Sequence, residues 1–126
     1  MNSKEIVVGA RGSALSAAQA GMVVRKLSRA YPEYRFRLEK IATTGDKSKT
    51  WQRSDTGIFV KEIEEALLSG SIDIAVHSVK DLPSKIPAKL SLAAVTRRED
   101  HRDVLITGGR HDLFSLPPGS CIGTSS

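Results

Sequence analysis

His77-Ser78-Val79-Lys80-Asp81 packs an imidazole, a hydroxyl, an ammonium and a carboxylate into five positions, directly after an apolar run through Ile72, Ile74, Ala75 and Val76. The run reads as a buried strand, and Pro83 forbids further pairing. In open α/β sheets, ligands lie just beyond the carboxyl ends of strands, so polar groups gathered there have a physical reason to be functional. Lys80 and Asp81 adjoin in sequence, so their charges can support each other while Asp81 remains available to a ligand. The plainer alternative is a solvated surface turn carrying an ordinary ion pair.

A second group lies in the first turn of the chain. Arg11 and Ser13 follow the apolar stretch Ile6-Val7-Val8-Gly9, and Ser13 is placed to cap a helix. A guanidinium, a hydroxyl and helix N-terminal amides can converge there on a carboxylate. Ser13 acting only as a cap, with Arg11 solvated, is the alternative. Lys61 falls in the first turn of a second helix, where a cation opposes the macrodipole; an exposed structural lysine is its plainer reading. Ser125 and Ser126 repeat the turn-with-hydroxyl theme after the last apolar stretch.

These groups need a frame. A first strand over Glu5–Gly9 precedes a helix over about residues 14–30, with Ala20, Val23, Val24 and Leu27 on one face. Tyr31-Pro32 ends it. Residues 34–41 alternate, with Tyr34, Phe36 and Leu38 set against Arg35, Arg37 and Glu39, the pattern of a half-exposed strand. Thr43–Gly57 is long for a connection and reads as a mobile flap or binding loop. Ile58–Ser69 is helical, with Phe59, Ile63, Ala66 and Leu67 inward and Gly70 as the stop. Strands are then expected ending at His77 and over Leu90–Val95, Val104–Thr107 and Ser120–Gly123. Thr96–Asp103 is a charge-dense break with one helical turn. Strand–helix alternation implies an α/β fold with a largely parallel sheet and flanking helices.

Bulk properties narrow the function. With 126 residues the chain has room for one modest core. Nineteen basic and 14 acidic residues give +5, which favours anionic partners. Aromatic content of 5% and basic residues interleaved with acids, as in Arg97-Arg98-Glu99-Asp100, argue against nucleic acid and for a small polycarboxylate. Apolar runs are strand-sized, so no membrane span or signal core is expected, and a cytoplasmic location follows. Cys121, the single cysteine, rules out an internal disulfide and reads as a buried, inert thiol. His77, His101 and His111 are too dispersed for zinc, and no metal is expected. Phosphate-binding glycine loops and a hydrolase elbow are missing.

Ala10-Arg11-Gly12-Ser13, Thr43-Thr44-Gly45-Asp46, Gly57-Ile58-Phe59-Val60-Lys61-Glu62, the run Asp73–Pro83, Arg98-Glu99-Asp100 and Gly123-Thr124-Ser125-Ser126 occur in the order and spacing of one family. Together they resemble the porphobilinogen deaminases (hydroxymethylbilane synthases) of tetrapyrrole biosynthesis. The resemblance covers essentially the whole chain. It implies a first domain like type-2 periplasmic binding proteins over about residues 1–97. A hinge and the beginning of a second domain would occupy 98–126, and a third domain would be absent from this chain. It also implies stepwise condensation of four porphobilinogen molecules into hydroxymethylbilane, releasing ammonia, on a dipyrromethane cofactor, in a monomeric full-length enzyme.

By that resemblance Asp81 is the catalytic carboxylate, bonding pyrrole N–H groups and stabilising the cationic azafulvene formed as ammonia leaves. Arg11, Ser13, Lys61, Ser78, Lys80 and Ser126 would hold acetate and propionate arms, with His77, Thr124 and Ser125 beside them. Two departures stand out. Asp55-Thr56-Gly57 replaces the family's Gly-Lys-Gly, removing one cofactor-contacting lysine. The Leu-Arg-Arg that follows Gly-Thr-Ser-Ser in the family, and the cysteine bearing the primer, are not in this sequence; Cys121 matches that cysteine in neither position nor context. The 126 residues alone are therefore expected to make no hydroxymethylbilane. The leading alternative is a non-catalytic module of the same fold that clamps an anionic ligand.

Overall fold

Lys4–Arg11 forms strand β1, rich in β-branched residues and buried from Val8 to Ala10. The computed structural model describes residues 4–43, 60–109 and 111–124. Helix α1, Ala14–Ala30, follows with Ser13 as its N-cap; the Ser13 hydroxyl accepts from the Ser16 N–H at 3.3 Å. Ala20 is fully buried on its inner face, with Val23, Val24 and Leu27 half-buried around it. Tyr31 closes the helix by donating its N–H to the Leu27 carbonyl. Strand β2, Tyr34–Ile41, keeps the expected alternation, Phe36 and Leu38 lying deeper than the arginines between them. Arg37 pairs with Glu5 at 3.1 Å and with Glu39, tying the exposed sides of β1 and β2 together.

Helix α2, Lys61–Leu68, begins at Val60, whose carbonyl accepts from Ile63 and Glu64. Glu62 and Glu64 lie in its first turn, where the macrodipole favours acids. Ile63 and Val60 are buried, and Gly70 ends the helix with φ +75°, a conformation that glycine adopts without steric cost. The start expected at Ile58, the inward Phe59 and the flap from Thr44 to Gly57 lie outside the described residues.

Strand β3 is shorter than the sequence suggests, only Ile74–Ala75. Asp73 accounts for its late start. Its carboxylate accepts the Val7 N–H at 2.7 Å and its own N–H donates to the Val7 carbonyl at 2.9 Å, so a side chain takes a ladder position. Ile72, 3% exposed, turns to cover Gly9 instead of extending the strand.

The sheet order is β2-β1-β3, with both pairings parallel. The chain thus runs from β1 to one side through α1 and β2, then returns to the other side through α2 and β3. Right-handed crossovers place α1 and α2 on opposite faces. The gap between the carboxyl ends of β1 and β3 is the point where strand order reverses, the usual ligand position in such sheets.

The chain divides into two units, Met1–Ala93 and Ala94–Ser126. In the second, the strands expected at Val104–Thr107 and Ser120–Gly123 and the helical turn within Thr96–Asp103 are not formed, nor is the strand expected at Leu90–Val95, which crosses the division. Ile106 is 91% exposed and Phe114 95%. Strand pairing needs a neighbouring strand, and among the described residues none lies beside these stretches. Local bonds organise the unit instead: Asp100 pairs with Arg102, Asp112 accepts the N–H groups of Phe114 and Ser115, and Gly119 turns with φ +83°. Cys121 is exposed, correcting the expectation of a buried thiol in an apolar strand.

Candidate active site

β1 delivers Arg11 as its last residue, half-buried, and two residues later Ser13 opens α1. Accepting from Ser16 uses a lone pair of the Ser13 oxygen and leaves its O–H available to donate. No acidic residue occupies the first turn of α1, so the partial positive charge of that helix end is not balanced by an acid within the turn. Arg11 and the α1 terminus both favour an anion in the same place.

β3 delivers the second group. Pairing ends where the Val76 N–H donates to the Gly9 carbonyl at 3.0 Å, and the chain passes His77 and Ser78 into a single 3₁₀ turn, Val79–Asp81. The Asp81 N–H closes that turn on the Ser78 carbonyl at 2.9 Å. Arg11, Ser13, His77, Ser78, Lys80 and Asp81 then line one cavity of about 320 Å³, within the size range of small-ligand sites. Two cations and one carboxylate are among its lining residues, a balance that favours an anionic ligand. Both Lys80 and Asp81 line the cavity, and they make no ion pair with each other.

Half-burial pushes the His77 imidazole below its ordinary 6.5; the Asp81 carboxylate partly opposes this, and Arg11 adds to it. His77 is therefore largely neutral at pH 7, with one ring nitrogen to donate and one to accept.

Three further lining residues, Leu15, Ser16 and Gln19, escaped the reading of the sequence. Gln19 accepts the Ser78 hydroxyl proton at 3.0 Å, joining α1 to the segment after β3. Their signal was present: Leu15 and Gln19 stand i, i+4 on the first turns of a helix whose N-cap was already a candidate. Lys61 opens α2 but does not line this cavity; its ammonium is exposed, 4.0 Å from Glu65 one turn on. Thr124 is exposed in the second unit, and Ser125 and Ser126 lie outside the described residues. Among the described residues no cluster of three or more His, Cys, Asp or Glu side chains could hold a metal. No helix there is long and apolar enough to cross a membrane.

The family model described as porphobilinogen deaminase, dipyromethane cofactor binding domain, matches residues 6–126. The chain belongs to the porphobilinogen deaminase family. A porphobilinogen deaminase of Thermus thermophilus is 50% identical over 121 residues, covering 96% of this chain and 40% of the relative. One from Lachnospira eligens is 52% identical over 122 residues, covering 94% and 41%. One from Geobacillus kaustophilus is 47% identical over 126 residues, covering 98% and 41%. The chain spans about two fifths of the length of the porphobilinogen deaminases it matches.

The cavity's donor set fits the cofactor named in that family model. Dipyrromethane carries carboxylate arms on two N–H-bearing rings. Arg11, Lys80 and the Ser13 hydroxyl could donate to such arms, and the Asp81 carboxylate could accept from ring N–H groups.

Proposed function

We propose that this chain provides the carboxylate-gripping and acid–base part of an enzyme that condenses four porphobilinogen molecules into hydroxymethylbilane, releasing one ammonia per unit. The observation that carries the reading is the meeting of Arg11 and Ser13, from the end of β1, with His77, Lys80 and Asp81, from beyond β3, around one cavity where the strand order reverses. Family membership supplies the substrate class.

In this reading Arg11, Lys80, Ser13 and the α1 terminus hold acetate and propionate groups, which orients the rings they belong to. Ser78 lines the same cavity with its hydroxyl on Gln19. Lys61, Thr124, Ser125 and Ser126 enter this reading as carboxylate donors through the family motifs alone. Dipyrromethane, when bound, supplies the carbon at which the first unit is joined. Asp81 accepts the pyrrole N–H of porphobilinogen. When the C–N bond of the protonated aminomethyl group (–CH2–NH3+) breaks, its electron pair leaves with nitrogen as ammonia and the positive charge passes from nitrogen to the ring. The fixed carboxylate of Asp81 stabilises that charge, the group being aimed before the charge develops. Largely neutral at pH 7, His77 does not compete with the substrate for the Asp81 charge.

Domain 1 ends near residue 97 in this reading, and residues 98–126 begin the second domain; the division into Met1–Ala93 and Ala94–Ser126 supports a boundary in that region. The full-length enzyme works as a cytoplasmic monomer. The test replaces Asp81 by Asn in the full-length protein and follows porphobilinogen binding and ammonia release together. Retained binding with ammonia release lowered at least about a hundredfold is expected. Unchanged release would show that Asp81 is not the working carboxylate.

A further inference from the structure

Ser78 stands at the N-cap of the 3₁₀ turn that carries Asp81, yet its side chain makes no capping bond there. A serine in that position ordinarily turns its oxygen back onto the following N–H groups. This one points away, and its hydroxyl donates to the Gln19 side chain on α1 at 3.0 Å, across a separation of 59 residues. The contact is partly buried, where a hydrogen bond is worth more than in open water.

What else fixes that turn is slight. β3 holds only two residues, and its last tie to β1 is the bond from Val76 to Gly9, five residues before Asp81. The bonds of the Asp81 and Leu82 N–H groups are internal to the turn, to Ser78 and Val79. Asp81 is thus fastened to Ser78 by its backbone N–H at 2.9 Å, and Ser78 is fastened to α1 through Gln19.

We propose that Gln19 is a positioning residue that sets the place of Asp81 through Ser78. This rests on the reading of Asp81 as the working carboxylate, but the coupling itself is a property of the chain without ligand. Gln19 touches no reacting atom in this role. It holds the turn against the helix whose N-terminus, with Arg11, forms the other wall of the cavity. A carboxylate that must meet a ring N–H tolerates little displacement, so a tie of this kind acts on the chemical step more than on binding.

The test compares Gln19→Ala, Ser78→Ala and the double variant by amide hydrogen exchange, followed by NMR on the full 126-residue chain. Loss of the side-chain bond is expected to speed exchange of the Asp81 N–H about fivefold in either single variant, with no further gain in the double. Amides of α1 and of the β1–β2 pair keep their wild-type rates. Gln19→Glu retains an acceptor oxygen at the same reach and restores slow exchange at Asp81. An unchanged Asp81 rate in Gln19→Ala overturns the proposal, as do single effects that add in the double, or a rise shared equally by α1 and the sheet. Titration of the same samples with porphobilinogen separates the two claims. Coupled exchange in a chain that binds no porphobilinogen would sink the functional reading and leave the positioning role standing.

Discussion

Replacing Gly9 by Ala should disturb the strand that carries Arg11 to the cavity, by an amount that follows from local geometry. A Cβ at Gly9 would sit 2.3 Å from Ile72 Cδ1, 3.3 Å from Ile72 Cγ2 and 3.2 Å from Ile41 Cδ1. Carbon atoms pack comfortably at about 3.5–4.0 Å, so the Ile72 terminus must retreat by more than about 1 Å. Ile72 is itself buried, so the retreat forces an unfavourable rotamer or a backbone shift. The expected cost is about 1–2 kcal/mol. For a unit of this size each kcal/mol lowers the melting midpoint by about 4–8 °C, readable by circular dichroism. Ile72→Val removes the offending methyl and alone costs about 1 kcal/mol. In the Gly9→Ala background it should cost almost nothing, giving a coupling of about 1 kcal/mol between the two positions. A Gly9→Ala chain that melts with the wild type, or a double variant equal to the sum of the singles, would refute the packing argument.

Other expectations concern the site. Arg11→Ala should weaken porphobilinogen binding about tenfold or more in a calorimetric titration, since a charge-assisted bond to a carboxylate is lost. Ser13→Ala should destabilise the chain by about 1 kcal/mol through loss of the α1 cap, measured by urea denaturation. His77 has a lowered value in the folded chain, so the unfolded chain binds more protons. Its contribution to stability is full above about pH 6.5 and fades as the pH falls below that toward the folded value. Melting curves between pH 7.5 and 5 should record this decline, and His77→Gln should flatten that part of the profile.

Elements made by local rules were legible in the sequence. The apolar face of α1, its Ser13 cap, the alternation of β2 and the Gly70 stop all follow from contacts within a few residues, and each formed where expected. The meeting of Arg11 and Ser13 with His77, Lys80 and Asp81 was also within reach, because both groups follow apolar runs and parallel sheets put such ends together. What failed was non-local. Leu90–Val95, Val104–Thr107 and Ser120–Gly123 have strand composition, but composition supplies no hydrogen-bonding neighbour, and Cys121 is exposed for the same reason. β3 lost its first positions to a side-chain bond from Asp73 that no periodicity signals. Gln19 was missed because its partner lies 59 residues away, on an element whose position depends on the sheet.

The central claim is that the cavity between the ends of β1 and β3 receives a carboxylate-bearing pyrrole with Asp81 at its ring nitrogen. Isotope-edited NMR of this chain titrated with porphobilinogen addresses it most directly. Resonances of Arg11, Ser13, His77 and Lys80, and the carboxyl carbon of Asp81, should move together along one saturable isotherm while the last turn of α1 stays still. Porphobilinogen that leaves those signals unmoved, or shifts only residues away from the cavity, would contradict the account.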